Sequence, residues 1–248
     1  MPRLLAGQCS ARELVQRFDF LHSYFRDSAV AARYFVTFIE NHDSGAWDIS
    51  RLLHHDRDER LAIIAATYLL TSVGIPCWYY GTEQGFHGGG DGKEGTDQFI
   101  REAMFGGTWG GHDSSGAHFF NPRHPIYCAI AQLARVRREQ PALRYGRQYI
   151  REISEDGEHF GYPDGSDYTL AYSRILDNEE IVIALNASKQ ARGDAITVDR
   201  TLSPSGTKLC DALGRETLRV AVASNGRAYV RVPLEGRMAA ILVNRAAT

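Results

Sequence analysis

Three adjacent polar residues, Asn41-His42-Asp43, follow a short apolar run and offer an amide, an imidazole and a carboxylate. The run covers residues 33–40 and is rich in β-branched and aromatic side chains, which predicts a strand buried on both faces. A rigid strand would hold the polar groups at its carboxyl end, where a carboxylate and an imidazole can each bind the vicinal hydroxyls of a sugar. The alternative is a plain turn in which Asn41 or Asp43 caps the next helix.

The element that follows is the strongest helix prediction in the sequence. Residues 57–73 are largely apolar after an acidic first turn, where negative charge complements the helix dipole. Gly74 and Pro76 end this helix, and residues 77–80 predict a second short buried strand. A strand, a helix and a strand in this order fit the end of a (β/α)8 barrel, in which polar residues at strand carboxyl ends tend to be catalytic.

A glycine-rich stretch over about residues 85–116 contains interleaved aromatic residues, which are scarce in true linkers. A loop of this length is usually functional. It carries three charged residues that either contact a sugar or, as we favour, form an ion pair that closes the loop: Asp91, Asp97 and Arg101. Trp47 and Trp109 either stack on glucose rings or fill the small cores of their own loops.

The rest of the chain predicts two further helices and a β-rich region. The helices cover residues 11–27 and 125–139, where apolar residues repeat at about one helical turn. After about residue 147, short β runs alternate with turn signals roughly ten residues apart. These runs cover 148–154, 168–176, 180–187, 207–210, 217–223, 227–234 and 238–244. We therefore predict an α/β domain over residues 1–146 and an antiparallel β-sandwich over residues 147–248.

The order of these features resembles the C-terminal part of an α-amylase-family (family 13) glycoside hydrolase. In that family a hydrophobic strand ends in Asn-His-Asp, and one helix later a Gly-Ile-Pro-x-x-Tyr-Tyr-Gly-x-Glu segment forms the eighth barrel strand. The matching segments here are residues 35–43 and 74–83, and a β-rich region follows them. The resemblance covers most of the chain. It implies strands seven and eight of a (β/α)8 TIM barrel, followed by a C-terminal β-sandwich.

The resemblance also implies roles for individual residues. Asp43 is similar to the third family carboxylate, which holds the hydroxyls of the sugar in the cleavage subsite and helps to stabilise the transition state. His42 resembles the neighbouring sugar-binding histidine, and Asn41 orients the two. The residues at the end of the eighth strand are expected to pack or to hold the loop: Tyr79, Tyr80, Gly81 and Glu83.

Retaining glycoside hydrolysis needs a nucleophile and an acid/base carboxylate, and neither family pattern is found here. No Gly-x-Arg-x-Asp occurs in the sequence, and the strand with the acid/base Glu would lie upstream. We predict part of a retaining α-glucoside hydrolase that acts on α-linked glucans or oligosaccharides. This chain alone, a split-gene product or a truncation, is expected to be inactive without a partner chain that supplies barrel strands one to six. The alternative is a non-catalytic carbohydrate-binding or scaffold protein derived from such an enzyme.

Composition narrows the range of other partners. Hydrophobic residues make up 44% of the chain and the formal net charge is −2, so neither nucleic acid nor a membrane is an expected partner. No cofactor is evident, although full-length members of the resembling family can carry calcium. A cytoplasmic location is expected, with four free and mostly buried thiols: Cys9, Cys77, Cys128 and Cys210.

Overall fold

The computed structural model describes residues 12–24, 30, 33–43, 51–54, 56–88, 100–105, 120–163 and 167–244. Within these residues, helices and one pair of short parallel strands occupy the first part of the chain. A nine-stranded antiparallel sheet occupies the second part, and its strand pairing begins at Arg147. The division into two domains at residue 146 stays a prediction.

The first part opens with α1 (Arg12–Tyr24) and continues with a strand–helix–strand unit. β1 (Val36–Thr37) pairs in parallel with β2 (Ile75–Pro76), and α2 (Glu59–Thr71) lies between them in the chain. The two strands approach closely at Gly74, whose φ is +122°. A Cβ added there would lie 2.6 Å from the side chain of Thr37, so the position favours glycine for both conformation and space.

Helix α2 forms where the sequence predicts it. Asp58 caps its N-terminus by accepting a hydrogen bond from the Arg60 amide at 3.0 Å. Most residues of the apolar run that follows are buried. The hydroxyls of Thr67 and Thr71 satisfy themselves inside this apolar setting by donating to carbonyls four residues earlier. The prediction of a helix over residues 57–73 is therefore confirmed to within two residues at each end.

Two more helices lead into the sheet. α3 (Pro125–Glu139) begins after His124, whose ring nitrogen accepts a hydrogen bond from the Ile126 amide at 3.4 Å. The prediction of a helix over residues 125–139 is confirmed. Pro141 does not simply end the helical region, because it occupies the first turn of a further short helix, α4 (Pro141–Tyr145). Proline is tolerated there because the first turn leaves its amide positions unpaired in any case.

The sheet is antiparallel throughout and has the spatial order β3-β5-β6-β11-β8-β9-β10-β7-β4. Its strands are β3 (Arg147–Ile150), β4 (Ile153–Ser154), β5 (Thr169–Leu176), β6 (Glu179–Asn186), β7 (Arg192–Thr197), β8 (Lys208–Asp211), β9 (Thr217–Val222), β10 (Ala228–Leu234) and β11 (Ala239–Asn244). The seven predicted β runs all fall on strands. β7 was not predicted, and residues 148–154 form two strands rather than one.

Alternate residues of the central strands face two different cores. Tyr172, Ile183 and Ile241 contribute to a core that also contains the buried sides of α2 and α3. Val182 and Leu242 point the other way, into a second core that is closed by strands of the other half of the sheet, including β7 and β10. The sheet therefore curls over itself, as a sandwich-like β domain does, and its outer face carries the helices.

Arg174, on β5, ties α2 to the sheet and is completely buried. Its guanidinium donates to the carbonyl of Thr71 at 2.6 Å and to that of Gly146 at 2.8 Å. The hydroxyl of Tyr172 lies 2.5 Å from that of Thr71 and adds a second polar link. Burial lowers the pKa of Arg174 to about 10, and the neighbouring Arg137 acts in the same direction. The side chain still carries its charge at neutral pH.

Replacing Arg174 by methionine is expected to lower the free energy of unfolding by about 2 kcal/mol. Two hydrogen bonds from a charged donor contribute roughly 3–6 kcal/mol. Relief from burying the charge returns roughly 3 kcal/mol, the equivalent of the lowered pKa. Urea unfolding at pH 7 measures the difference. Arg219→Met, at an exposed position of β9, is the control and should change stability by less than about 0.5 kcal/mol. A variant of Arg174 as stable as the parent would contradict the linking role.

Two predictions about the short strands are wrong. Residues 77–80 form no strand, because after the Cys77 amide bonds the Thr37 carbonyl the backbone leaves β1 and turns. The run over residues 33–40 is not buried on both faces, since the side chains of Val36 and Phe38 are each 51% exposed. Among the described residues, β1 and β2 pair only with each other, so their outer sides are uncovered.

The expectation of mostly buried thiols is also wrong for the described cysteines. Cys77 and Cys128 are exposed and free, and Cys210 is half-buried and free. Cys77 directly follows β2, and Cys128 lies on α3 outside the buried face formed by residues such as Leu133. Cys9 lies outside the described residues.

Candidate functional site

The Asn41-His42-Asp43 turn lies just past the carboxyl end of β1 and presents its polar groups to solvent. The Asp43 amide donates to the Asn41 side-chain oxygen at 2.7 Å, which fixes the turn locally. The imidazole Nε2 of His42 lies 3.2 Å from Asp43 Oδ1. Arg101 approaches from a distant part of the chain, with Nη2 3.4 Å from the same carboxylate oxygen and Nε donating to the His42 carbonyl at 3.2 Å.

These three side chains form an open, mixed-charge cluster. The side chains of His42, Asp43 and Arg101 are 62%, 69% and 42% exposed. Exposed ion pairs of this kind contribute roughly 0–1 kcal/mol, so the cluster does not hold itself in place by its own attraction. Its groups are accessible to hydroxyls, for which carboxylate, imidazole and guanidinium are all suitable hydrogen-bonding partners.

A buried charged triad adjoins the cluster along the chain, because Glu40 precedes Asn41 and Glu102 follows Arg101. Arg51 is 2% exposed and stands between two buried carboxylates, those of Glu40 and Glu102. Its Nη1 lies 3.6 Å from Glu40 Oε1, and its Nε donates to Glu102 Oε2 at 2.9 Å. The carboxylate of Glu40 also accepts hydrogen bonds from the Leu52 amide and the Thr82 hydroxyl.

The segment that follows β2 packs around this triad. The ring of Tyr79 lies 4.3 Å from the Arg51 guanidinium carbon, within cation–π range. Burial raises the pKa of the Tyr79 hydroxyl, which therefore keeps its proton and donates to the Ile100 carbonyl at 3.0 Å. Tyr80 donates to the Glu102 carbonyl at 2.9 Å, and Glu83 accepts from the Trp78 indole at 3.3 Å. These contacts hold the loop, as expected for these residues.

The position of Gly81 completes this loop. Its φ is +89°, and an added Cβ would lie 2.4 Å from the ring of Phe86. A left-handed residue at this point starts the short 3₁₀ turn Thr82–Gln84, which carries the Thr82 hydroxyl to Glu40. The turn thereby connects the end of β2 to the triad.

Electrostatics single out Glu40 among the buried groups. Burial raises the pKa of Glu40 to about 7, and the nearby Glu102 carboxylate acts in the same direction. Arg51 and the Leu52 amide oppose the rise by favouring the charged form. Two carboxylates face one guanidinium, so a proton on Glu40 makes the buried triad neutral.

The structure brings together some of the predicted site residues and not others. His42, Asp43 and Arg101 meet, with Asn41 holding the turn, although their binding of sugar stays a prediction. Arg101 pairs with Asp43, and the ion pair expected within its own loop stays a prediction. Asp91, Asp97, Trp47 and Trp109 lie outside the described residues.

Sequence reasoning missed the triad altogether. One signal was available, since Glu40 is an acidic residue at the end of an apolar run and directly precedes Asn41. A buried carboxylate needs a cation, but Arg51 and Glu102 are distant in sequence and no spacing pattern connects them. The partners emerge only when the chain is folded.

The described residues offer neither a metal cluster nor a membrane helix. No group of three or more His, Cys, Asp or Glu side chains in these parts of the chain could hold a metal ion. None of the helices described is long and apolar enough to cross a membrane.

Comparison with known proteins supplies the family. No protein-family model matches the chain. A cyclomaltodextrin glucanotransferase of Geobacillus stearothermophilus is 33% identical over 193 residues, which is 77% of this chain and 22% of that enzyme. An α-amylase of Niallia circulans is 28% identical over 185 residues, 73% of this chain and 28% of that protein. The chain therefore spans only about a quarter of the length of these curated relatives.

Solved structures agree on the fold. CldA, a cyclomaltodextrin glucanotransferase with a three-domain ABC distribution, matches 99% of this chain and 42% of its own, with a TM-score of 0.71 and 21% identity. The α-amylase of Geobacillus thermoleovorans, solved with acarbose, matches 100% of this chain and 46% of its own, with a TM-score of 0.62 and 19% identity.

The second part of the chain is a β-rich domain, and its nine-stranded antiparallel sheet is consistent with the C-terminal domain of α-amylase-family enzymes. The chain belongs to the α-amylase family of glycoside hydrolases and corresponds to a part of those enzymes.

Proposed function

We propose that this chain supplies one side of the active site of an α-glucan-acting enzyme, the side that carries Asp43 and His42. The observation that carries the proposal is the position of the Asn41-His42-Asp43 turn, which is solvent-exposed, follows a strand of a parallel pair and gains Arg101 as a neighbour. Relatives named as cyclomaltodextrin glucanotransferase and α-amylase support α-linked glucans as the substrate class.

In this proposal, the strand–helix–strand unit β1-α2-β2 is the end of a (β/α)8 barrel. A parallel pair joined through a helix is the repeating unit of such barrels, and the turn after β1 lies at the carboxyl end, where barrel active sites are built. Two further carboxylates about 5 Å apart would act as nucleophile and acid/base. Asp43 and His42 would bind the sugar hydroxyls next to the bond that is cleaved.

The partner would be the remaining part of the catalytic domain, whether in the same polypeptide or in another. Five apolar side chains around β1 and β2 are between 42% and 75% exposed: Tyr34, Phe35, Val36, Phe38 and Ile75. Both strands also have an edge that pairs with no other described residue. Exposed apolar side chains together with open strand edges suit a neighbouring strand and its helices. Parallel strands of an α-amylase-type barrel are the occupants we assign.

The Phe38→Glu substitution tests this surface. Placing a charge on it is expected to abolish co-purification of the chain with the remaining part of the catalytic domain expressed as a separate polypeptide, because desolvating an unpaired carboxylate is costly. Tyr162→Glu is the matched control, since Tyr162 is 43% exposed on the β-rich part and should leave co-purification intact. Equal recovery of the partner with both variants would show that the surface lies outside the contact.

Activity is tested by reducing-sugar release from soluble starch, maltose and sucrose. The chain alone is expected to release no sugar above buffer, and the co-purified complex is expected to act on at least one substrate. A complex without activity on any α-glucoside would overturn the proposal. Activity of the chain alone that disappears in Asp43→Asn would show that the cleaving carboxylates are its own.

The second candidate, a carbohydrate-binding or scaffold protein without catalysis, is favoured by one observation. The sequence contains no Gly-x-Arg-x-Asp pattern, which carries the nucleophile in the resembling family. Calorimetric titration of the chain with maltohexaose separates the two candidates. Tight binding by the isolated chain together with an inactive complex would support the binding protein.

A further inference from the structure

The buried triad and the exposed cluster are connected at both ends by the chain itself. Glu40 directly precedes Asn41-His42-Asp43, and Glu102 directly follows Arg101. The same two segments therefore meet twice, through Arg51 in the interior and through the Asp43–Arg101 pair at the surface. The buried contacts of Arg51 hold the two segments together, and the exposed Asp43–Arg101 pair lies next to them in the chain.

We propose that Glu40, Arg51 and Glu102 are positioning residues, which set the distance between Asp43 and Arg101 and so shape the sugar-binding side of the site. The inference rests on the proposed function for its meaning, but not for the geometry. The energies of the two kinds of ion pair indicate that the buried triad positions the exposed pair, and not the reverse. Exposed pairs contribute roughly 0–1 kcal/mol, whereas breaking a buried pair by removing one partner costs roughly 3–5 kcal/mol.

Several groups hold the triad in place from different segments. The Glu102 carboxylate accepts the Gly88 amide at 2.8 Å, and Arg51 Nη1 donates to the Tyr80 carbonyl at 2.6 Å. The titratable and charged groups that face Glu40 are Arg51, Glu102, Tyr79 and Cys77, the last two from the segment after β2. Arg51 thus contacts or faces the ends of β1, β2 and the 100–105 segment at once.

The titration of Glu40 can be followed at the exposed turn, and a triad that only stabilises the fold would leave the turn unchanged. Because burial raises the pKa of Glu40 to about 7, its carboxylate gains and loses its full attraction to Arg51 within an accessible pH range. The Leu52 amide, which donates to Glu40, reports the titration directly. The Asp43 amide, which donates to Asn41, reports whether the exposed turn follows.

The experiment follows these two amide resonances in the ¹⁵N-labelled chain between pH 5.5 and 8.5. It uses a His42→Gln background, so that the adjacent imidazole contributes nothing to the Asp43 resonance. We expect both amides to shift with one shared midpoint near pH 7, and Glu40→Gln to remove that midpoint from both. A midpoint at Leu52 but not at Asp43 would overturn the proposal, and this comparison needs no Glu40 variant to fold. An Asp43 midpoint that survives Glu40→Gln would also overturn it.

Sugar binding provides a second, independent test of the positioning role. In the co-purified complex, Arg51→Lys is expected to weaken maltohexaose binding about tenfold, because lysine cannot reach both carboxylates and the turn shifts. Arg135→Lys, at an exposed position of α3, is the control and should bind as the parent does. Parent-like binding by Arg51→Lys would count against positioning. A complex that binds no sugar would overturn the proposed function, while a shared midpoint would still support the positioning role.

Discussion

In the proposed α-glucan-acting complex, Asp43→Asn is expected to lower kcat on soluble starch by about 10³-fold. Asparagine has nearly the same shape as aspartate, so the turn and its hydrogen bond to Asn41 remain. In the proposed role, the substitution removes a negative charge beside the sugar ring, where positive charge develops in the transition state of glycoside cleavage. Reducing-sugar assays on the co-purified complex give kcat and KM separately, and the loss is expected mainly in kcat.

A matched substitution separates this effect from a general loss of carboxylate charge. Asp177→Asn makes the same chemical change in the exposed turn between β5 and β6, at a residue with φ of 49° that asparagine also adopts readily. It should leave kcat unchanged. If Asp43→Asn lowered kcat by less than about tenfold, Asp43 would be a peripheral contact and the placement of the cleavage subsite at this turn would be wrong.

The elements that the sequence predicts well are those whose signals are local. Helix α2 has a capping residue, an apolar run and a glycine–proline stop within one stretch, and its bounds agree with the structure. Strands β5 and β6 combine β-branched residues with a turn at Asp177-Asn178, which makes them visible without any tertiary information. The polar turn after β1 follows from its position at the end of an apolar run.

The parts that escaped prediction depend on partners far away in sequence. β7 reads as a turn because it contains Gly193 and Asp194, yet Asp194 is buried and paired with Arg192 at 2.8 Å and with the Thr169 hydroxyl at 2.5 Å. Residues 77–80 have the composition of a strand, but beyond the Cys77 amide they pair with no described strand. Amino-acid composition indicates which residues can form a strand, but a strand forms only where a neighbouring strand is available to pair with it.

The triad shows the same limit at the level of function. Arg51 lies 51 positions before Glu102 in the chain, and no periodicity connects them. In the proposed positioning role, Arg51 acts through the exposed Asp43–Arg101 pair. A carboxylate at the end of an apolar run was a signal that some cation must be folded against it, without identifying the cation.

That buried carboxylate leads to a large expected pH effect on stability. Folding raises the pKa of Glu40 to about 7 from the ordinary glutamate value of about 4.5. Between these two values the folded chain holds a proton that the unfolded chain has released. Glu40's contribution to stability is therefore complete below about pH 4.5 and is lost as the pH rises through 7, by about 3 kcal/mol in total.

Glu40→Gln is expected to cancel this loss, because glutamine stays neutral as the protonated acid does. Relative to the parent, the variant should gain about 3 kcal/mol in free energy of unfolding between pH 4.5 and pH 8, measured by urea titration at each pH. Leu53→Ala is the control, since it removes a buried side chain without changing any charge and its deficit should stay constant with pH. A constant difference for Glu40→Gln as well would mean that the carboxylate is charged throughout, paired with Arg51 strongly enough to overcome its burial.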